Sequence, residues 1–182
     1  MENKTKTAVY WTLLIHEDWS LHIAATSEGL CFVGSQNHPL EELSDWAKAR
    51  IPGSELIRDD ERLLPYAAEL IEYLQGTRTS FTAPFDFPGT PFQLAVWNAL
   101  RSIPYGQTRS YSDIADQIER PAAVRAVGAA IGANPVLITV PCHRVIGKGG
   151  ALTGYRGGLD MKTRLLQLEQ DGALADGEAR HA

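Results

Sequence analysis

Between residues 82 and 91 the chain carries Pro84, Pro88, Gly89 and Pro91. Proline fixes φ and has no backbone N–H, so neither a helix nor an inner strand can run through such a cluster. The cluster therefore divides the 182 residues into two stretches, each of a length that can bury a small core. The reading is an N-terminal domain over 1–88, a C-terminal domain over 89–172, and a polar tail over 173–182 that frays. On this reading the proline-rich segment is an interdomain linker.

Upstream of it, apolar alternation predicts strands over 8–15, 20–25 and 30–33, the last two joined by Ser27-Glu28-Gly29, as an antiparallel meander. Helical spacing follows over 39–50 (Leu40, Leu43, Ala47) and 64–74 (Leu64, Ala67, Ala68, Ile71, Leu74), with Pro65 in the first turn of the second helix. Strands followed by helices make this half α/β, a small antiparallel sheet with helices. Downstream, 92–103 is amphipathic through Phe92, Val96, Leu100 and Ile103. Ser110-Tyr111-Ser112-Asp113 is a capping pattern for a short helix, and Pro121 opens another over 122–132, rich in Ala and Gly. Two short helices joined tightly at Glu119-Arg120-Pro121 have helix-turn-helix spacing, the later one in the recognition position. A final helix is predicted over 159–170, so this half is mostly α.

The formal net charge is −5, which by itself argues against a nucleic-acid partner. The charge is unevenly spread, however. Residues 1–88 hold 7 basic and 14 acidic side chains, whereas 89–164 hold 9 basic and 4 acidic, so the second half is the place to look for a DNA-binding module. No apolar run approaches the roughly 20 residues of a membrane span, and the polar start resembles no signal peptide. The expectation is a cytoplasmic protein with two free thiols, Cys31 and Cys142. Neither CxxC nor HxxxH spacing occurs, so no metal site is expected.

Cys142 lies between Pro141 and His143, with Arg144 next. A neighbouring His or Arg can lower a thiol pKa and make it a nucleophile, but a buried inert Cys beside a surface His has the same local sequence. The small-residue helix can pack against another helix, or can approach DNA closely with Arg125 as a long cationic side chain inserted into the stack. Asn134-Pro135 reads as a helix stop, Glu169 as a surface acid, and Tyr111 as packing.

Taken together, Arg125-Ala126-Val127-Gly128, Asn134-Pro135, Pro141-Cys142-His143-Arg144-Val145, Gly154-Tyr155-x-Gly-Gly158 and Leu165-Leu166-x-x-Glu169 form an ordered series. It resembles the O6-alkylguanine-DNA alkyltransferases, strongly over 89–171 and only in architecture over 1–88. The resemblance implies a ribonuclease-H-like N-terminal domain and a C-terminal domain of helix-turn-helix, winged-helix-like character. It implies transfer of an alkyl group from O6 of guanine in double-stranded DNA to Cys142, irreversibly and once per molecule, with the base flipped out and no cofactor. It leaves O4-alkylthymine open as a second lesion.

By the same resemblance His143 relays the thiol proton, Glu169 orients the imidazole, Asn134 braces the turn carrying the cysteine, and Tyr111 donates to the leaving base. Arg125 is the finger that fills the vacated stack, and Ala122, Ala126, Gly128 and Arg144 join it in contacting DNA. Val145, Tyr155 and Arg156 line the pocket; Arg156 stands where many members have a small residue. The implied protein is a monomer without a fused regulatory zinc module. Alternatives from other classes are a damage-binding protein that transfers nothing and, more distantly, a Cys-His hydrolase.

Overall fold

A computed structural model describes residues 6–181, with side chains described through residue 173. The meander forms as its alternation requires: β1 (Ala8–His16), β2 (Trp19–Ala25) and β3 (Leu30–Val33) pair antiparallel. After α1 (Leu40–Arg50), a fourth strand β4 (Glu55–Arg58) pairs parallel to β1, giving the order β3-β2-β1-β4. The sheet is thus mixed, not purely antiparallel as expected. A parallel neighbour needs a crossover, which α1 supplies, and two apolar residues between charged ends are too short a run to register as a strand. Period-two alternation then sorts the side chains. Val9, Ala24 and Phe32 pack with Leu43 of α1 on one face, while Leu14, Leu21 and Ile23 pack with Leu63 and Leu70 of α2 on the other.

Helix α2 (Asp60–Leu74) starts earlier than expected, because Asp59 caps it by accepting from the Arg62 N–H. Pro65 therefore sits in its second turn and not its first. In the second half, α3 (Pro91–Arg101) and α4 (Tyr111–Gln117) each begin with a reciprocal capping box, Thr90 with Gln93 and Ser110 with Asp113. Helix α5 (Val124–Gly132) begins after Ala123. Pro121 belongs instead to the preceding turn, closed by the Ala123 N–H on the Arg120 carbonyl, where the second position of a turn suits proline. The Trp97 indole N–H donates to the Ala130 carbonyl at 2.8 Å and pins α3 to α5. A short parallel pair, β5 (Arg109–Ser110) with β6 (Val145–Ile146), ties the start of α4 to the segment after Cys142. The last helix, α6 (Leu159–His181), does not stop at 170; a glycine inside a helix costs only about 1 kcal/mol, so Gly172 does not end it. The tail expected over 173–182 is thus helical in backbone to His181, and its side chains beyond 173 lie outside the described residues. None of the described helices is long and apolar enough to cross a membrane.

The proline-rich segment is stitched to β3. The Leu30 N–H donates to the Pro84 carbonyl, the Asp86 N–H returns to the Leu30 carbonyl, both at 2.9 Å, and Thr26 Oγ1 donates to the Asp86 carboxylate. Glu69 of α2 accepts from the Thr82 and Ala83 N–H groups, while Phe85 stacks on Phe87 and Phe87 meets the edge of Trp97. Farther along β3, Val33 bridges to Val136, and the Val33 N–H donates to the Pro135 carbonyl at 3.0 Å. One apolar cluster accordingly runs from Leu21, Ile23 and Tyr73 through Val96, Leu100 and Val136.

A Cβ at Gly29 would lie 2.6 Å from the Pro84 backbone, whereas one at Gly154 would meet open space. Gly29→Ala is expected to lower stability by about 1–3 kcal/mol while Gly154→Ala is near neutral. Thermal unfolding of the two variants checks this, and equal melting would contradict a close-packed connector.

Candidate active site

The segment leading to Cys142 is held by one amide and two tight turns. Asn134 is buried, accepts from the Val136 N–H at 2.9 Å and donates to the Val140 carbonyl at 3.0 Å, bracketing the residues between. Within that bracket the Thr139 N–H donates to the Leu137 carbonyl at 2.7 Å, and Ile138 is left at φ 68°. A positive φ in a β-branched residue is strained and persists only where the surroundings impose it. The next tight turn, Cys142 N–H to Val140 carbonyl at 2.8 Å, is centred on Pro141 at φ −81°, ψ 62°, the favourable γ-turn geometry. Cys142 to Arg144 then form a single 3₁₀ turn. Asn134 also favours the ionised form of the Cys142 thiol.

That turn directs His143 and Arg144 onto Glu169 of α6. His143 Nε2 lies 2.5 Å from Glu169 Oε2; Arg144 donates from Nε to Oε1 at 2.8 Å and from a terminal nitrogen to Oε2 at 3.0 Å. The Gly106 N–H reaches Oε1 at 3.2 Å, and the Tyr73 hydroxyl of α2 donates to Oε2 at 2.5 Å. His143 and Glu169 are almost wholly buried. Burial opposes ionisation of Glu169, but the hydrogen bonds and charge of His143 and Arg144 outweigh it and bring the carboxyl down to about 2. An ionised carboxylate only accepts, so His143 carries its proton on Nε2 and its lone pair on Nδ1. Nδ1 is buried and has no hydrogen-bond partner in the protein.

Burial lowers the His143 pKa; Glu169 pulls it up, and Arg144 and Lys162 push it down. Burial likewise raises the Cys142 thiol, against the opposing effects of Asn134, Arg156 and Lys162. The resting pair is therefore a neutral thiol beside a neutral imidazole. Sequence neighbours that can lower a thiol pKa do not do so enough here, because desolvation of the anion is the larger effect. Cys31 is a buried core thiol pushed up to about 12. Among the described residues no cluster of three or more His, Cys, Asp or Glu side chains is placed to hold a metal ion.

Two residues expected at the surface or the pocket are used elsewhere. Arg144, read as a DNA contact, is buried, chelates Glu169 and donates to the Ile103 carbonyl at 2.7 Å; a guanidinium committed to a buried carboxylate is not offered to a phosphate. Arg156, whose backbone the resemblance places along the pocket, sends its guanidinium into the contact between the halves. It donates to the Val33 and Pro135 carbonyls at 2.9 and 3.1 Å, pairs with Glu42 of α1 at 3.4 Å and lies over the Phe32 ring. Tyr155 beside it has a buried hydroxyl without a protein partner, and Cys142 is among the groups that shift its pKa. Val145 is buried, with its carbonyl taken by Lys162 Nζ at 2.7 Å.

On α5 the buried side is Val127, Ala130 and Ile131, so Arg125, Ala126 and Ala129 face outward. Ala122 is exposed in the turn before the helix. Gly128 faces the ring of Tyr111, which a Cβ there would meet at an ordinary contact distance of 3.8 Å, and the Tyr111 hydroxyl shares a hydrogen bond with Thr153 Oγ1 at 2.7 Å. Five of the nine cations counted over 89–164 are engaged inside the fold or with the other half: Arg101 over the Phe85 ring, Arg144, Arg156, Lys162, and Arg164 on Asp18 and the Trp19 ring. Sequence reasoning missed Tyr73, Lys162 and Thr153. A tyrosine on a buried helical stripe needs a partner for its hydroxyl, which is the available signal, but its partner lies 96 residues away in sequence.

Arg144→Ala is expected to destabilise the protein by about 3–5 kcal/mol, because it leaves a buried carboxylate short of its main counter-charge. Denaturant unfolding of the variant checks this, and a loss under about 1 kcal/mol would place Glu169 in a more solvated setting than described.

Residues 9–87 match the family described as "6-O-methylguanine DNA methyltransferase, ribonuclease-like domain", and residues 91–171 match its "DNA binding domain". The chain is similar to the inducible methylated-DNA–protein-cysteine methyltransferase of Bacillus subtilis, 67% identical over 165 residues, 91% of this chain and 92% of that one. Among solved structures it is similar to the O6-methylguanine methyltransferase of Mycobacterium tuberculosis, with TM-score 0.76 and 39% identity over 90% of this chain and 93% of the other. A second structure of that Mycobacterium protein, in complex with DNA, has TM-score 0.75 and 39% identity over 91% and 94% of the two chains. Both halves of the chain, the mixed sheet as well as the helices around Cys142, thus belong to one pattern, and the chain is a member of the 6-O-methylguanine DNA methyltransferase family.

Proposed function

We propose that the protein repairs double-stranded DNA by moving the alkyl group of O6-alkylguanine onto Sγ of its own Cys142, the methylated-DNA–protein-cysteine methyltransferase reaction. The observation that carries the assignment to Cys142 is the line of groups behind it: an imidazole whose Nε2 is fixed 2.5 Å from an ionised, buried carboxylate and whose Nδ1 has no protein partner. In the reaction the sulfur–carbon bond forms as the carbon–oxygen bond of the lesion breaks. The thiol proton passes to His143 Nδ1 through a bridging water, the bond electrons go to the guanine, and Glu169 stabilises the imidazolium. A thiol that rests neutral is unmasked only when the lesion is in place, which keeps a buried sulfur from reacting beforehand. The thioether has no leaving group for a return step, so each molecule acts once.

Cys142 is 4% exposed, too deep to reach a base stacked in a duplex, so the nucleotide must be flipped out, at a cost of about a few kcal/mol. Helix α5 presents Arg125 beside Ala126 and Ala129 on its outer side, with Ala122 in the turn before it, a smooth surface that lets the helix approach while Arg125 fills the gap in the stack. When Thr153 is the donor in the hydrogen bond it shares with Tyr111, the phenol proton is free for the ring nitrogen of the leaving base. One chain holds every group of the site, so a monomer suffices. We place the protein in the cytoplasm, where the thiols of Cys31 and Cys142 stay reduced.

Intact-mass measurement after incubation with O6-methylguanine DNA is expected to show a single methyl increment, absent in Cys142→Ser. Tight lesion binding with no increment would instead favour a damage-binding protein. Arg125→Ala is expected to slow repair in duplex about tenfold or more while changing repair of the free base by less than about twofold; equal losses on both would contradict the finger role.

A further inference from the structure

The N-terminal half reaches the catalytic carboxylate through one side chain. Tyr73, in the last turn of α2, is completely buried, and its hydroxyl donates to Glu169 Oε2, the oxygen that also faces His143 Nε2, from which the phenol oxygen is 3.4 Å away. Its ring is fixed by Phe81 from the connector and by the edge of Tyr105. Arg144 already neutralises Glu169 with two hydrogen bonds, so charge balance does not require the phenol. Its placement on the shared oxygen gives it a different consequence. We propose that Tyr73 is a positioning residue for alkyl transfer, whose hydrogen bond limits how strongly Glu169 can hold the imidazole's proton and so keeps His143 neutral and ready to accept the proton of Cys142.

A carboxylate oxygen that accepts from a phenol has less electron density for a second donor, so the Glu169–His143 bond is weaker with Tyr73 in place than without it. A weaker bond to the anion favours the imidazolium less and leaves Nδ1 unprotonated to lower pH. The groups facing His143 are Glu169 and Lys162 of α6, Arg144 and Cys142 of the same turn, and Tyr73 of α2. Glu169 alone among them raises the affinity of His143 for a proton by its charge, while Arg144 and Lys162 lower it. Tuning Glu169 is therefore the direct means of setting when His143 can act. The inference rests on Cys142 as the alkyl acceptor and His143 as its base.

The test is Tyr73→Phe in the full chain, which keeps the ring and removes only the hydroxyl. Single-turnover transfer from O6-methylguanine duplex is followed by mass across pH 5–9. Without the phenol the acidic limb is expected to move up by about half a unit to one unit, slowing transfer at pH 6 about threefold to tenfold while the rate at pH 8 stays within about twofold. Should the variant be too unstable to assay, site-specific 3-fluorotyrosine at position 73 preserves the packing and makes the phenol a stronger donor, and the limb is expected to move down. NMR titration of the His143 ring without DNA should follow the same directions. An unmoved limb, a limb moving the opposite way, or a uniform slowing at every pH would overturn the role of Tyr73 while wild-type transfer to Cys142 continues. Absence of transfer in wild-type protein would instead overturn the reading of the site itself.

Discussion

A single buried carboxylate organises this molecule. Glu169 receives donors from four residues on three separate pieces of chain: His143 and Arg144 of the 3₁₀ turn, Gly106 of the loop after α3, and Tyr73 of α2. A buried anion with fewer partners would be costly enough to unfold a small domain or to take up a proton. The need to satisfy it fixes where α6 lies, how the cysteine turn is aimed and how closely α2 approaches. The same requirement sets the protonation of the ring, since an ionised Glu169 assigns the His143 proton to Nε2 and leaves Nδ1 with a free lone pair.

The edge of β3 is the second anchor. Leu30 pairs with the connector, and Val33 takes up the start of the catalytic segment through Val136 and the guanidinium of Arg156. The N-terminal sheet thereby supports the strained turn at Ile138 from behind. A turn of that kind cannot hold itself, because the backbone strain exceeds what its own few hydrogen bonds return. The sulfur is therefore presented at a fixed place, and the outward side chains of α5, Arg125 among them, sit on another element.

Much of this was legible from residue types. The capping pattern at Ser110, the alternation of β1 to β3, and the ordered residues from Arg125 to Glu169 led to the elements, the family and the reactive thiol. Other features were not legible, for specific reasons. Strand β4 has only Leu56 and Ile57 between charged ends, and its partner is β1, across α1. Arg144 looked like a DNA contact, and the interdomain pairing of Arg156 went unseen, because a guanidinium carries no mark of its partner in sequence; the proline-rich segment looked like a free linker because its hydrogen bonds go to a strand more than fifty residues earlier.

Local chemistry alone determined the two halves, their element types, and which cysteine has an imidazole beside it, since periodicity, caps and adjacent residues act over a few positions. Tertiary structure decided that the halves share one core and that Cys142 and His143 rest neutral. It also decided that Arg144 is buried on Glu169, and that a phenol from the N-terminal half touches the same carboxylate. Those outcomes depend on burial and on partners up to 96 residues apart, and desolvation energies are set only once the chain has closed around the groups concerned.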